Sequence, residues 1–198
     1  MGLMSGHEGA LPNPRGVKLT YDDFVLFPDD GLRHELIDGE HYVTPSPNDK
    51  HQTILANLHL LIGPWLRLHP IGKLWLAPFD VVFSRFDVVE PDLLYISNER
   101  RAQIATDANV QGAPELVVEI GSPSTRRRDE TIKRALYERA GVSEYWVVDT
   151  RLDVVRVYRR LNAERFAGPE ELSLEAGDVL TTPLLPGLCL PLAEIFRS

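Results

Sequence analysis

The longest regular pattern of hydrophobic and polar positions spans residues 48–68. Apolar side chains recur there every three or four residues, which is the spacing of one face of an α-helix. Asn48 precedes the pattern and is a favourable residue for capping a helix start. The pattern therefore predicts one long amphipathic helix that ends near Leu68. Its apolar positions are Ile54, Leu55, Leu58, Leu61, Ile62 and Trp65.

Two shorter elements are predicted before this helix. Residues 20–27 indicate a short helix, which Thr20 can cap. Residues 33–45 indicate a β-hairpin, because Asp38 and Gly39 form a dipeptide that favours a tight turn between two strands. The first part of the chain therefore predicts helix, hairpin and long helix in that order.

Nearly continuous apolar runs dominate the middle of the chain. Residues 91–96, 114–120 and 144–149 each form such a run, as expected of strands that are covered on both faces. Residues 73–84 indicate two short strands before these runs, and residues 154–158 indicate a strand at the edge of the sheet. Together they predict a sheet with buried central strands.

A second helix is predicted at residues 125–140, where Gly141 ends it. The chain closes with a β-rich part and a short helix at residues 192–196. This order of elements predicts a mixed α/β sandwich. The apolar positions assigned to the core face of the second helix are Ile132, Ala135, Leu136 and Ala140.

Composition limits the class of protein. With 198 residues, 43% hydrophobic and 25% charged, the chain predicts one globular domain over residues 19–198 after a flexible tail at residues 1–18. No apolar stretch reaches the roughly 20 residues of a membrane span, so we expect no membrane partner and a cytoplasmic location. The single cysteine, Cys189, excludes internal disulfides. The net charge of −8 argues against broad binding to nucleic acids but leaves a locally basic cleft open.

Several enzyme classes lack their motifs in this chain. There is no Gly-rich phosphate loop that ends in Lys-Ser or Lys-Thr. His34-Glu35 begins like a zinc-protease motif, but Asp38 stands where the second histidine belongs. Carboxylates within the apolar strands remain as the candidate chemistry.

Asp92 lies at the start of one apolar strand, and Glu119 lies near the end of another with Val117, Val118 and Ile120 around it. A carboxylate in such a run is costly to bury unless it is paired or bound to a cation. Two carboxylates that converge from neighbouring strands form a hard, oxygen-rich site suited to Mg²⁺. Lys133 shares a helix face with Asp129 and Tyr137. Its ammonium group could stabilise the negative charge that develops on a phosphate.

Several motifs in one order carry a family resemblance. They are PDLLYIS, APELVVEIGSPST and IKRALYERAGVSEYWVVD, together with HELIDGE at residues 34–40 and His51 at the start of the long helix. In this order they resemble the Uma-two type of bacterial endonuclease, within the PD-(D/E)XK superfamily. The resemblance covers residues 20–158. It implies an α/β fold of the restriction-endonuclease-like kind, a mixed β-sheet flanked by helices, and hydrolysis of DNA phosphodiester bonds with Mg²⁺ or Mn²⁺.

The resemblance assigns roles residue by residue. Asp92 matches the aspartate of the PD motif and Glu119 the acidic residue of the (D/E)XK motif, and both are expected to bind the metal. Gly121 stands where the superfamily lysine belongs, and the resemblance suggests that Lys133 on the following helix takes its place. Glu35 resembles an additional acidic residue of such sites, so the catalytic set is Asp92, Glu119, Lys133 and Glu35.

Alternatives stay open for the remaining features. Arg126, Arg127 and Arg128 are either a solvated helix start or a group that binds nucleic-acid phosphates beside the metal. His51 is either a helix histidine or a phosphate contact. A homodimer and a monomer both fit the sequence. The alternatives to a DNA endonuclease are a non-catalytic nucleic-acid-binding or assembly module with the nuclease fold, and a metal-dependent hydrolase of another phosphate ester.

Overall fold

The computed structural model describes residues 16–44, 46–121 and 128–198. Its helices are α1 (Tyr21–Phe24), α2 (Asp49–Leu68), α3 (Asn98–Ile104), α4 (Arg134–Ala140) and α5 (Leu192–Ile195), and a π-helical turn, Asp129–Lys133, runs directly into α4. Its strands are β1 (Arg33–Ile37), β2 (Glu40–Thr44), β3 (Gly72–Leu76), β4 (Val81–Ser84), β5 (Asp87–Val89), β6 (Leu93–Ser97), β7 (Val110–Gln111), β8 (Leu116–Gly121), β9 (Glu144–Asp149), β10 (Val154–Arg159), β11 (Glu170–Ser173), β12 (Val179–Thr181) and β13 (Cys189–Pro191).

These strands form two large mixed sheets. The first sheet has the order β2-β1-β5-β4-β7, and the second has the order β11-β10-β9-β8-β6-β3. Strands β8 and β9 are parallel, whereas β8 is antiparallel to β6 on its other side. β12 and β13 form a small third sheet in the C-terminal part of the chain. The mixed α/β architecture predicted from the sequence is confirmed.

The second sheet is covered on both faces, which explains its continuous apolar strands. On β8, Leu116, Val118 and Ile120 pack into a core with α2 and the C-terminal segment. Val117 points to the opposite face, where a second core includes residues of the first sheet and of α4. Glu119 follows Val117 on that face because side chains alternate along a strand.

The predicted start of α2 is confirmed in detail. The side chain of Asn48 accepts a hydrogen bond from the backbone N–H of His51, and the helix extends to Leu68. The hairpin turn between β1 and β2 is also confirmed, since Asp38 and Gly39 both have positive φ angles, 54° and 74°. Such angles are what a tight two-residue hairpin turn requires.

The two short strands predicted over residues 73–84 are present as β3 and β4, which belong to different sheets. Two other predictions about local structure are wrong. β10 is not at the edge of its sheet, because β11 pairs with its outer side. Ile132 and Ala135, which were assigned to the core face of the helix, are exposed, whereas Lys133 is buried. The reason is that Lys133 makes ion pairs with Glu35 and Glu119 in the interior.

None of the helices in the described parts of the chain combines the length and the apolar composition that a bilayer crossing requires.

The close approach of β3 to β6 predicts a strong effect of one methyl group. A Cβ atom at Gly72 would lie 2.5 Å from the carbonyl oxygen of Ile96 and 2.5 Å from a ring carbon of Tyr95. We expect Gly72→Ala to lower the free energy of unfolding by about 1–3 kcal/mol, the usual cost of overpacking. Urea denaturation measures this. Gly168→Ala is the control, because a Cβ there meets nothing within 4 Å. Equal losses in both variants would contradict the prediction.

Candidate active site

The register of β6 against β8 brings two carboxylates together. Leu93 lies opposite Val118 in this antiparallel pair. The next positions outward are Asp92, just before β6, and Glu119 within β8. Both carboxylates are almost fully buried, at 2% and 4% exposure. Their proximity is therefore a direct consequence of strand pairing.

Asp92 is held by donors on both carboxylate oxygens. Oδ1 accepts from the guanidinium of Arg33 at 2.8 Å. Oδ2 accepts from the backbone N–H of Ile120 at 2.7 Å and lies 3.1 Å from Nε2 of His51. Burial by itself would raise the pKa of Asp92, but the hydrogen bond and charge of His51 and the charge of Arg33 outweigh burial and lower the pKa to about 2.

Glu119 has a different environment on the same face. Its Oε1 accepts from the ammonium of Lys133 at 2.9 Å and from the hydroxyl of Tyr137 at 2.5 Å. Lys133 and Tyr137 are one helical turn apart, so one side of the helix supplies both donors. Burial nevertheless raises the pKa of Glu119 to about 8, with a further contribution from the charge of Asp92. The positive charge of its neighbours thus does not fully compensate the ionised form of Glu119.

Glu35 reaches the same place from the first sheet. It lies on β1, is 1% exposed, and its Oε1 is 2.7 Å from the ammonium of Lys133. The backbone N–H of Glu90 donates to the same oxygen at 3.1 Å. Lys133 therefore bridges Glu35 and Glu119 and ties the two sheets together, and these two carboxylates raise its pKa against the effect of burial.

Asp92, Glu119, Lys133, Arg33 and His51 line one cleft of about 170 Å³. Its walls also include Thr44 and the residues before α2. Arg128 also lines the cleft, donates to the hydroxyl of Thr44 at 2.8 Å and lies 3.8 Å from Oε2 of Glu35. The cleft thus combines the buried carboxylates of Asp92, Glu119 and Asp129 with lysine, arginine and histidine side chains. Such a mixture can bind a cation and a phosphate group side by side.

Comparison with known proteins places the chain in a family. A family model named Uma2, described as "Putative restriction endonuclease", matches residues 21–193. The chain belongs to this family. No curated protein sequence is significantly similar to the chain.

A solved structure shares the fold of this Uma2 member. It is described as a "putative nuclease" from Anabaena variabilis, and the superposition has a TM-score of 0.75. The match covers 90% of this chain and 97% of the other, with 21% sequence identity. The fold class predicted from the sequence is therefore confirmed.

The structure brings together the four residues that the sequence singled out as catalytic. Asp92, Glu119 and Lys133 line the cleft. Glu35 adjoins it through its ion pair with Lys133, which also contacts Glu119. Position 121 is a glycine. The helix after β8 instead brings the ammonium of Lys133 to 2.9 Å from Oε1 of Glu119. Their roles in catalysis remain predictions.

The predicted arginine group is only partly within the described residues. Arg126 and Arg127 lie outside them. The side chain of Arg128 is only 12% exposed and contacts Thr44 and Glu35. Of the two alternatives for this group, the solvated helix start therefore does not describe Arg128, and phosphate binding stays a prediction.

Sequence reasoning missed Arg33. This residue makes an ion pair with Asp92, and it lines the cleft. The signal was present, because Arg33 is two residues before Glu35 on a strand and side chains at that spacing share a face. The contact between His51 and Asp92, by contrast, was not predictable, since no local pattern shows that the start of α2 meets the start of β6.

The carboxylate oxygens of the cleft are chemically suited to a small divalent cation. Carboxylate oxygens are the ligands that Mg²⁺ and Mn²⁺ prefer. In the described residues, the hydrogen bonds to the Glu119 side chain all fall on Oε1, and Oε2 of Glu35 is buried without a hydrogen-bond partner. Within the same residues, no group of three or more acidic, histidine or cysteine side chains is arranged ready to hold a metal. A cation would therefore require the ion pairs to Asp92 or Glu119 to rearrange.

Proposed function

We propose that the protein is a Mg²⁺- or Mn²⁺-dependent endonuclease that hydrolyses phosphodiester bonds of DNA. The observation that carries the proposal is the convergence of Asp92, Glu119 and Lys133 in one cleft of a chain that belongs to a family of restriction-endonuclease type. Each residue comes from a separate segment, so only the folded chain brings them together. Membership of this family supports phosphodiester hydrolysis as the reaction. The carboxylate oxygens of Asp92 and Glu119 support a divalent cation as the cofactor.

Asp92 and Glu119 would hold the cation. Burial leaves Glu119 short of compensating positive charge, as its raised pKa indicates. A divalent ion between two buried carboxylates supplies that charge. When bound, such an ion polarises a phosphoryl oxygen and acidifies a water molecule.

In the proposed reaction, the positively charged side chains of the cleft bind the phosphate and stabilise its negative charge. Lys133 is directed to Glu119 and can donate to an oxygen that carries developing negative charge. Glu35 fixes the ammonium group from the opposite side, and Tyr137 fixes Glu119. Glu35 and Tyr137 thus act as positioning residues for Lys133 and Glu119.

DNA is the proposed partner, although the net charge of the chain is −8. Binding then depends on a local concentration of positive charge in and around the cleft rather than on the whole surface. Arg33 and Arg128 contribute it inside the cleft. We also assign phosphate binding to Arg126 and Arg127, which precede Arg128 in the chain.

Titration calorimetry with Mg²⁺ or Mn²⁺ tests the cation site. We expect Asp92→Asn to weaken binding by roughly tenfold or more, because even the loss of a partner to a metal ligand typically costs 10- to 100-fold. Asparagine keeps the shape of the side chain and one oxygen that can accept from Ile120. Asp107→Asn is the control, because Asp107 is an exposed residue outside the cleft. Equal affinity in wild type and Asp92→Asn would contradict the cation site.

A non-catalytic DNA-binding module is the second candidate. The observation in its favour is that Lys133 is already paired with Glu35 and Glu119, as in a purely structural ion-pair network. Such a module would bind DNA but leave it intact. A hydrolase of another phosphate ester would instead bind the cation and cleave small phosphodiesters but not DNA. Cleavage assays on DNA and on small phosphodiesters therefore separate the three functions.

A further inference from the structure

Arg33 stands between two cavities. It lines the cleft described above and also a neighbouring cavity of about 440 Å³, which the segment before β1 and the end of β5 help to form. Its Nη1 donates to Oδ1 of Asp92 at 2.8 Å, and no other hydrogen bond within the described residues reaches that oxygen. Arg33 therefore covers one oxygen of a proposed cation ligand from the side that faces the larger opening.

Arg33 is also the most exposed cation that lines the cleft. Its side chain is 21% exposed, compared with 12% for Arg128, 8% for His51 and 3% for Lys133. A phosphate that approaches from solvent can thus reach Arg33 more readily than Lys133, whose ammonium is enclosed by two carboxylates. Guanidinium groups suit this contact, because their planar fork can donate two hydrogen bonds to one phosphate.

Arg33 is surrounded by carboxylates, as a bound metal cation would be. Burial lowers the pKa of Arg33, but the surrounding carboxylates outweigh burial and raise it; they are Asp92, Glu119 and Glu35. Two of these carboxylates, Asp92 and Glu119, are the proposed ligands of the divalent ion. A guanidinium and a divalent ion at this position repel each other, so both cannot remain close to Oδ1 of Asp92.

We propose that Arg33 exchanges partners during the reaction cycle. It neutralises Asp92 in the cation-free protein, and it turns to a backbone phosphate of the nucleic acid when Asp92 ligates the divalent cation. This inference rests on the proposed function. It makes Arg33 both a competitor of the cation and a substrate-binding residue, two properties that a purely structural ion pair does not have.

The first consequence concerns the cation alone. We expect Arg33→Met to bind Mn²⁺ roughly tenfold more tightly than wild type in titration calorimetry, because a positive charge next to a divalent ion is removed. Arg33→Lys keeps that charge and should stay close to wild type. Arg139→Met is the control for a general loss of positive charge, since Arg139 pairs with Asp87 on the surface.

The second consequence concerns DNA. Fluorescence anisotropy with a DNA duplex would be recorded in Ca²⁺, chosen as a divalent ion for measuring binding without cleavage, and again in EDTA. We expect Arg33→Met to bind DNA roughly tenfold more weakly than wild type in Ca²⁺, the cost of losing a hydrogen bond between charged groups. In EDTA the two proteins should bind alike, because Arg33 is then engaged with Asp92. Arg139→Met should show the same difference from wild type in both conditions.

The two titrations separate the exchange from the function on which it rests. Weaker Mn²⁺ binding by Arg33→Met, or a DNA defect of equal size in Ca²⁺ and EDTA, would overturn the exchange while leaving the nuclease proposal intact. Absence of Mn²⁺ binding in wild type would overturn both. If Arg33→Met does not fold, Arg33→Gln removes the same charge and keeps a polar side chain, and the same outcomes apply.

Discussion

Lys133→Met is expected to reduce the rate of DNA cleavage by roughly a hundredfold or more. The ammonium of Lys133 lies 2.9 Å from Oε1 of Glu119, so it is placed to donate to a phosphate bound beside that carboxylate. Removing one preorganised donor of this kind typically costs two to three powers of ten in rate. The measurement is the initial rate of plasmid cleavage in Mg²⁺.

Two further variants sharpen this test. Lys133→Arg should restore little activity, because a planar guanidinium does not replace a compact ammonium in a buried position. Lys50→Met is the matched control, since Lys50 is largely exposed and pairs with Asp153 outside the cleft. Cleavage by Lys133→Met at the wild-type rate would show that Lys133 is an ordinary structural residue.

The same substitution is expected to have a large effect on stability. Lys133 is 2% exposed and bridges Glu35 and Glu119, which are buried as well. Breaking a buried ion pair by removing one partner usually costs about 3–5 kcal/mol, because the remaining charge is left uncompensated. Guanidinium denaturation of the cation-free protein should show a loss of this size. The spacing of Lys133 along its helix does not reveal this cost, which arises from the buried ion pairs.

A double variant separates the stability effect from the catalytic one. Glu35→Gln in the Lys133→Met background removes one uncompensated carboxylate and should recover part of the lost stability without recovering cleavage. Additive effects of the two substitutions would contradict a direct pairing of Lys133 with Glu35. Activity should be compared at a temperature where each variant is folded, as monitored by circular dichroism.

The parts of the fold that sequence predicted well are those set by local patterns. Asn48 and the apolar spacing after it determine α2, and Asp38-Gly39 determines the hairpin turn. The pairing of β10 with β11 was missed because β11, the next strand in the chain, has only four residues and carries no continuous apolar run. Local propensity cannot supply such information.

The candidate site divides in the same way. Asp92 and Glu119 stood out because carboxylates are unusual in buried strands. Arg33 did not, because a cation on a strand is common on protein surfaces. For His51 the sequence left a helix histidine and a phosphate contact open, and neither alternative named Asp92 as its partner. Their importance arises only when β1, β6 and the start of α2 meet. The burial of Lys133 likewise depends on Glu35 from the other sheet, which no spacing along the chain reveals.

Plasmid cleavage by Glu119→Gln tests the central claim most directly. Glutamine preserves the size of the side chain but removes the charge that would hold the cation. Purified wild type should convert supercoiled plasmid to nicked or linear DNA in Mg²⁺ or Mn²⁺, and this cleavage should stop when EDTA is added. Folded Glu119→Gln, prepared in parallel, should leave the plasmid supercoiled. Cleavage at equal rates by both proteins, or binding of DNA and cation by wild type without any cleavage, would contradict the assignment of this cleft as a nuclease active site.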